Sequence, residues 1–195
     1  MKKIRGYFEG LKNKVITIMI YNFSSLDLNK NVFFNKCPLI LKDKKAKIII
    51  GSNTTINSSN YGYHINMHSK CKLYADRSGA IIKIGDNCRI HGTCIHAYSK
   101  IIIGNNCLIA ANTQIIDGNG HLLSFDNTKN RIHTTDNGKE IIIEDNVWIA
   151  ANCVILGGTR IGEGSVITAG SVVKGIVPRN SIYGGNPSKL IKKII

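Results

Sequence analysis

The clearest pattern in the chain is a column of aliphatic residues that recurs every six positions in the C-terminal half. The column consists of Ile143, Ile149, Ile155, Ile161, Ile167 and Val173. Four positions after each of the first five comes a small or β-branched residue: Val147, Cys153, Thr159, Ser165 and Ser171. This period is neither that of an ordinary strand nor that of an α-helix. It fits a repeating unit that combines one short strand with one tight turn.

Three such units would close a triangular coil of 18 residues, and successive coils would stack at about 4.8 Å, the usual spacing of paired strands. The aliphatic column would fill the interior, while Gly, Asn and Asp at the turns would supply the backbone conformations that other residues resist. The pattern therefore predicts an all-β protein, a parallel β-helix of the solenoid class.

The same frame can be followed towards the N-terminus, from Ile103-Gly104-Asn105 back to Ile84-Gly85-Asp86 and, more weakly, to Ile50-Gly51-Ser52. We therefore expect four segments: an amphipathic helical arm over 1–22, a cap with irregular first coils over 23–80, the β-helix over 81–178, and a basic tail or helix over 179–195.

The periodicity is interrupted by a polar segment, 117–140, which is rich in Gly and Asn and contains His121 and His133. Long excursions from a compact solenoid are usually either functional or disordered. Soon after it comes Trp148, the only Trp, at an outward position beside the interior Ile149. An exposed Trp there is expected to line a cleft or a subunit seam.

The charge is strongly positive, with 26 Lys and Arg against 12 Asp and Glu in 195 residues. Such an excess favours nucleic acid, an anionic membrane surface or a phosphorylated small molecule as partner. The chain lacks zinc-finger, helix-turn-helix and RNA-binding signatures, so we expect no nucleic-acid partner. The basic N-terminal arm leaves a peripheral contact with the inner membrane open.

The six cysteines form no CxxC pair and fit a reducing, cytoplasmic location. We expect four of them, Cys88, Cys94, Cys107 and Cys153, to lie in the small interior column as compact hydrophobes, and we expect no metal.

The runs Ile143-Glu-Asp-Asn-Val-Trp-Ile and Ile161-Gly-Glu-Gly-Ser-Val-Ile, and the ending Gly185-Asn-Pro-Ser-Lys189, resemble the hexapeptide-repeat acyltransferases. Within that family the chain is most similar to the sugar O-acetyltransferases. The resemblance covers about residues 80–195. It implies a left-handed β-helix, acetyl-CoA as acyl donor, a sugar or glycan acceptor, and a homotrimer with active sites between subunits.

The resemblance also assigns residues. The family's catalytic His stands in a Gly-His pair, which here is Gly120-His121, and removal of a hydroxyl proton suits an imidazole base. Asp117 is a candidate to orient that ring, although a backbone carbonyl would serve equally well. The residues implied to bind acetyl-CoA are Trp148, Ala151, Ala169, Lys174, Lys189 and Lys192. Lys174 departs from the family, which often has Thr-Lys where this chain has Lys174-Gly175.

Two other classes stay open on the sequence. Some left-handed β-helices are zinc carbonic anhydrases, and His91 and His96, with His64 or His68, have a spacing that such a site could use. A non-catalytic scaffold would bind no CoA, and His121 would then be an ordinary surface residue. Because the sequence offers no Ser-His-Asp or Cys-His arrangement, direct transfer is favoured over an acyl-enzyme.

Overall fold

The computed structural model describes residues 2–194; Met1 and Ile195, the outer ends of the expected arm and tail, lie outside the described residues. A 22-residue helix, α1 (Lys2–Phe23), comes first, and all the remaining long-range structure is β. The strands follow one another in coils of three. Their bounds, coil by coil, are β1 (Asp27–Leu28), β2 (Phe33–Asn35), β3 (Leu39–Lys42); β4 (Lys47–Ile50), β5 (Thr55–Asn57), β6 (Lys72–Ala75); β7 (Ile81–Ile84), β8 (Arg89–His91), β9 (Cys94–Ala97); β10 (Lys100–Ile103), β11 (Leu108–Ile109), β12 (Gln114–Ile116); β13 (Ile141–Ile143), β14 (Trp148–Ile149), β15 (Val154–Leu156); β16 (Arg160–Ile161), β17 (Val166–Ile167), β18 (Val172–Val173); and the partial last coil β19 (Ile176–Val177), β20 (Ser181–Gly184) and β21 (Lys189–Lys193).

Each coil contributes one strand to each of three parallel sheets, which form the faces of a triangular prism. Sheet A contains seven strands, from β1 to β19; sheet B contains eight, from β2 to β21; and sheet C contains six, from β3 to β18. Consecutive coils pair in register: Trp148 lies opposite Val166 and Ile149 opposite Ile167. The predicted 18-residue coil is therefore confirmed, and three parallel sheets in register are typical of a left-handed β-helix.

The prism is held together by the interior aliphatic column that the period of six predicted. In sheet B, Ile90, Ile109, Ile149 and Ile167 stack at successive levels, each with 0% exposure. Full burial of one such side chain is worth about 1.5–3 kcal/mol, so a repeated column stabilises the stack strongly at every level. One-dimensional stacking of this kind needs no helices between the parallel strands.

The corner between sheets A and B shows why the turns need particular residues. Asn87, Asn106 and Asn146 occupy equivalent corner positions with φ between 56° and 60°, a left-handed conformation that Asn tolerates. Their side chains also bond along the corner, from Asn87 to Asn106 and from Asn106 to Asn146. The corner is thereby tied together between coils as well as within them.

The first coils are more regular than the sequence analysis expected. The strands β1 to β6 already form two coils between residues 27 and 75, where a cap with irregular coils was expected, and the irregularity is confined to one insertion, 58–70, between sheets B and C. At the other end β21 is an antiparallel strand on β20 rather than a tail or helix. The six-residue repeat is weak in the sequence of β1 to β6 because the corners between these short strands differ in length.

One of the four cysteines expected inside lies on the surface side of its strand. Cys88, Cys107 and Cys153 are buried, whereas Cys94 is half-buried and its neighbour Thr93 takes the interior position. The reason is a corner shortened by one residue: the interior positions Ile90 and Ile95 are five apart, not six.

Helix α1 covers the open N-terminal end of the prism. Ile20 joins the core, and Asn13 is buried against the first coil, where its amide contacts the side chain of Asn35 and its Oδ1 accepts from the N–H of Lys36. The Thr17 hydroxyl accepts from the N–H of Phe34. Among the described residues, no helix has the length and hydropathy that crossing a membrane requires.

Candidate functional site

The polar excursion leaves the prism at the corner between sheets C and A, and it positions His121. It runs between β12 and β13 and contains one short 3₁₀ helix, Thr128–His133. The His121 Nδ1 lies 2.9 Å from the carbonyl oxygen of Thr134. Because a carbonyl only accepts, Nδ1 carries the hydrogen, and Nε2 is left as the basic nitrogen of an exposed ring. The second loop histidine, His133, has no such contact with Thr134 in the described structure.

Asp117 has a different role from the one considered in the sequence analysis. Its carboxylate is buried and accepts three backbone N–H groups from the preceding coil, those of Tyr98, Ser99 and Lys100, at 2.7, 2.8 and 2.7 Å. It makes no hydrogen bond with His121, whose ring is oriented instead by the Thr134 carbonyl. The carboxylate therefore anchors the root of the loop to the prism.

His121 opens onto a cavity of about 410 Å³ at this C–A corner. Lys174, assigned to acetyl-CoA by resemblance, lines the same cavity, as does Lys139, which the sequence analysis missed. Gly157 forms part of the wall, and a Cβ there would lie 2.2 Å from the carbonyl oxygen of Asp117, so the site accommodates only glycine at that position. The cavity thus combines one basic imidazole with two cationic side chains and two carboxylates, those of Asp117 and Asp136.

A second cavity, also of about 410 Å³, lies at the other edge of sheet C, along the corner with sheet B. It contains three of the residues predicted to bind acetyl-CoA: Trp148, Ala151 and Ala169. Trp148 points outward as predicted, with 49% of its surface exposed. Ala151 and Ala169 lie on successive coils, where the Ala151 carbonyl accepts from the N–H of Gly170. They therefore form the expected vertical stack.

The floor of this second cavity includes a buried histidine, His91, that the sequence analysis treated only as a possible zinc ligand or a turn residue. Its Nδ1 lies 3.1 Å from the Asn57 amide nitrogen, and its ring stacks on Tyr63 at 4.6 Å. Burial, assisted by the charges of Arg89 and His64, lowers the pKa of His91 to about 4. The ring is therefore neutral at pH 7. Because Nδ1 accepts from the Asn57 amide, Nε2 carries the hydrogen and can donate to a ligand.

His96 lies away from His91, on the outer side of sheet C. It is stacked between Tyr74 and Tyr98 at 4.4 and 4.6 Å. Burial lowers the pKa of His96, although the Asp76 carboxylate, 3.7 Å from Nε2, opposes that shift. Within residues 2–194 as described, no group of three His, Cys, Asp or Glu side chains is placed to hold a metal ion. The histidines suggested by the H-x4-H spacing are therefore not brought together as a three-ligand site within one chain.

Lys189 and Lys192 line neither cavity. They lie on β21, at the C-terminal end of sheet B, three strands beyond the strand that carries Trp148. At about 4.8 Å per strand that separation is roughly 14 Å along the prism. Both side chains are exposed.

In one chain, then, the predicted residues that line a cavity fall into two groups on opposite edges of sheet C, and Lys189 and Lys192 lie apart from both. The outer face between the two groups is mostly apolar, and Lys72 is the only Lys, Arg, Asp or Glu among its outward residues. Its outward residues are Leu39, Leu41, Lys72, Tyr74, Cys94, His96, Gln114, Ile116, Val154, Leu156 and Val172. The outward positions of sheet A include five charged ones: Asp27, Lys47, Lys83, Lys100 and Arg160.

Two segments match models of known repeats: residues 140–175 match the bacterial transferase hexapeptide (six repeats), and residues 81–116 match the hexapeptide repeat of succinyl-transferase. A candidate lipopolysaccharide biosynthesis O-acetyl transferase of Escherichia coli, WbbJ, is 31% identical over 170 residues, which cover 83% of this chain and 82% of WbbJ. The chain belongs to the hexapeptide-repeat acetyltransferases. The family resemblance drawn from the sequence is thus confirmed.

Other members of the family are more distant or longer. A candidate acetyltransferase of Schizosaccharomyces pombe is 37% identical over 134 residues, and the match covers 69% of this chain but only 56% of the yeast protein. The crystal structure of the Vibrio cholerae hexapeptide-repeat acetyltransferase VCA0836, complexed with acetyl-CoA, superposes with a TM-score of 0.55 at 24% identity. It covers 87% of this chain and 72% of the Vibrio protein, and it supports the shared left-handed β-helix.

Proposed function

We propose that this protein is an acetyl-CoA-dependent O-acetyltransferase that acts on a sugar hydroxyl, with His121 as general base. The observation that carries the proposal is the hydrogen bond from His121 Nδ1 to the Thr134 carbonyl, because it makes Nε2 the basic nitrogen and holds the ring in one orientation. By the resemblance drawn from the sequence, the pair Gly120-His121 corresponds to the family's catalytic Gly-His pair.

The reaction is a direct transfer. Nε2 of His121 removes the hydroxyl proton as the acceptor oxygen attacks the thioester carbonyl carbon. The C–S bond then breaks, and the imidazolium returns the proton to the departing CoA thiolate, so the ring ends as it began. The positive charges of Lys139 and Lys174 at the same cavity favour the negative charge that develops in the transition state. Burial raises the pKa of the half-buried Cys94 thiol, which disfavours it as a nucleophile for an acyl-enzyme.

The two groups of site residues support a homotrimer built around the apolar face of sheet C. If that face turns towards a threefold axis, its C–A edge in one subunit meets the B–C edge of the next. His121 would then face the cavity that contains Trp148 of the partner subunit. The proposal explains why a mostly apolar face separates two groups of site residues. The histidine proposed as the base, His121, lies at one edge of that face, and Trp148, with the small residues proposed to bind the donor, lies at the other.

The donor would lie along the B–C corner. The small residues Ala151 and Ala169 leave room for the pantetheine arm to approach the backbone. Lys189 and Lys192, about 14 Å further along the prism, are placed for the phosphates of the nucleotide. Acetyl-CoA bound to the Vibrio relative VCA0836 supports the same donor here.

For the acceptor, the relationship to WbbJ supports a sugar of a surface polysaccharide or lipopolysaccharide, or a nucleotide-sugar precursor. His91, Tyr63 and Arg89 line the end of the second cavity that lies away from the lysines, where an acceptor would meet the acetyl group. The free cysteines of the described chain and the need for acetyl-CoA support a cytoplasmic location.

The test is thiol release from acetyl-CoA, measured against a panel of monosaccharides, nucleotide sugars and oligosaccharides. With an accepted sugar, His121→Asn should lower kcat by roughly 10²–10⁴, the usual contribution of a general base. His133→Asn, in the same loop and equally exposed, is the matched control and should retain activity. Activity that survives His121→Asn would refute the assigned base, and acetyl-CoA binding without turnover on any sugar would refute the assigned acceptor.

A further inference from the structure

The prism covers one side of helix α1 and leaves the opposite, apolar side exposed. The covered side consists of Asn13, Ile16, Thr17 and Ile20, spaced as one helical face. The uncovered side consists of Leu11, Val15, Ile18 and Met19. Each of these four large side chains is between 51% and 60% exposed.

The four exposed side chains form one continuous stripe. At 100° per residue they span about 100° of the helix circumference. Lys12 flanks the stripe on one side and Lys14 on the other, and both are exposed. A narrow apolar stripe bordered by lysines is the pattern of a helix that lies in the plane of a membrane interface.

The first coil adds positive charge to the same end of the prism. Residues 1–47 contain eleven Lys and Arg against three Asp and Glu, a net +8 out of the total +14. The exposed lysines of the first coil, its corners and the start of β4 are Lys30, Lys36, Lys44, Lys45 and Lys47. In the part of the chain that the structure describes, none of these lysines, nor Lys12 or Lys14, forms an ion pair. Their charge is therefore available to an external anion.

A shallow groove continues the apolar surface from the helix onto the first coil. It is lined by Ile18 and Phe33, with Lys30 at its rim. Phe33 is outward on β2 and 36% exposed. The apolar stripe and the basic coil therefore form one surface, in which acyl chains and anionic headgroups would each find a matching partner.

We propose that this N-terminal end of the prism docks onto an anionic bilayer, with the stripe of α1 inserted at the interface and the first-coil lysines against the headgroups. A second copy of the chain would cover the apolar stripe but would bring two net-positive ends together, which like-charge repulsion disfavours. A nucleic acid would satisfy the lysines and leave the apolar stripe in water. The bilayer satisfies both.

The experiment is flotation of the purified full-length protein with vesicles of phosphatidylcholine alone or of phosphatidylcholine with phosphatidylglycerol. The protein should float with the anionic vesicles at low salt, much less with the neutral ones, and less as salt screens the headgroups. Ile18→Glu should weaken partitioning roughly 10-fold to 100-fold, because it replaces an inserting side chain by an anion.

The matched control is Ile176→Glu, the same change at a 75% exposed position on sheet A, near the other end of the prism. It should float like the wild type. Both variants should acetylate a soluble acceptor normally, which separates a failure of docking from a failure of the proposed catalysis.

Three results would overturn the proposal: no flotation with anionic vesicles, flotation unaffected by Ile18→Glu, or flotation abolished by nuclease treatment. If the wild type does not bind vesicles but forms an oligomer in sedimentation experiments, and Ile18→Glu dissociates that oligomer, the stripe would instead be a contact with a second copy of the chain.

Discussion

Replacing Asp117 by Asn tests whether this carboxylate acts on His121 or anchors the loop. The buried carboxylate accepts three N–H groups at 2.7–2.8 Å, from Tyr98 and Ser99 and from Lys100. Asn keeps one acceptor oxygen. With that oxygen facing the N–H groups of Ser99 and Lys100, its NH₂ group replaces the oxygen that accepted from Tyr98, so two donors face each other there.

The magnitude follows from those bonds. A hydrogen bond to a charged group contributes about 1.5–3 kcal/mol, and buried donors without a partner add a desolvation cost, although the effects are not additive. The loss of one bond, the Tyr98 N–H left without an acceptor, and the weakening of the other two bonds by the loss of the negative charge should together cost about 3 kcal/mol. For a chain of this length that corresponds to a fall in Tm of roughly 6–12 °C.

The assay is thermal unfolding followed by circular dichroism, together with kcat at 25 °C. Asp126→Asn is the control, because Asp126 is exposed in the same loop, and its Tm should match the wild type. For Asp117→Asn, kcat at 25 °C should fall far less than for His121→Asn, since the Thr134 carbonyl orients His121. An unchanged Tm combined with a roughly 100-fold loss of kcat would refute the anchoring role.

Three further predictions follow from the burial and charge of other residues. His91 has a pKa of about 4 in the folded protein against 6.5 for an ordinary His, so the unfolded state binds more protons between these pH values. The free energy of unfolding should therefore fall by up to about 3 kcal/mol as the pH drops from about 6.5 to 4. Acid titrations of unfolding should show a flatter pH dependence for His91→Gln. The wild type should sediment as a trimer of the 21.4 kDa chain. Ile116→Glu, on the apolar face of sheet C, should yield monomers, whereas the control Ile102→Glu on sheet A should remain a trimer. If Ile116→Glu is still a trimer, the subunit interface lies on another face. The double variant Lys189→Glu with Lys192→Glu should bind CoA about tenfold more weakly at low salt in calorimetric titrations. An unaltered affinity would show that neither lysine belongs to the CoA site.

The sequence predicted the fold well because the repeat imposes the same requirement at every level. From β13 to β18 the same position of every strand is a fully buried aliphatic side chain, so Ile149, Ile155 and Ile161 reveal the coil without any knowledge of distant contacts. The prediction failed where one corner is a residue shorter, and Cys94 consequently turned outward while Thr93 turned inward. A sequence search with a fixed period of six residues does not detect a corner that is one residue shorter.

The site was less predictable than the fold because its hydrogen bonds involve the backbone. The sequence places Asp117 four residues before His121, a spacing that favours a direct contact. In the structure the carboxylate meets N–H groups of the previous coil, and a carbonyl 13 residues away orients the imidazole. The sequence gives side-chain identity but not the direction of corner N–H and C=O groups, so only the structure distinguishes these roles.

The two ends of the prism differ, and this bears on how the two substrates would reach the cleft. The proposed phosphate-binding residues, Lys189 and Lys192, lie at the C-terminal end, while the proposed membrane surface lies at the N-terminal end. If α1 rests on a bilayer with the prism standing on it, His121 leaves the fourth coil, three coil spacings or roughly 14 Å above the first. Acetyl-CoA would then enter from the water-facing end and the acceptor from the membrane side.

That arrangement sets a minimum reach for a membrane-linked acceptor. A single sugar attached directly to a lipid headgroup would lie below the level of His121, whereas an extended glycan of several residues would span the roughly 14 Å. On anionic vesicles we therefore expect acetylation of lipid-linked oligosaccharides in preference to lipid-linked monosaccharides, with no such preference for the same glycans free in solution. Equal rates for both lipid-linked acceptors would show that the prism does not stand on its N-terminal end during the reaction.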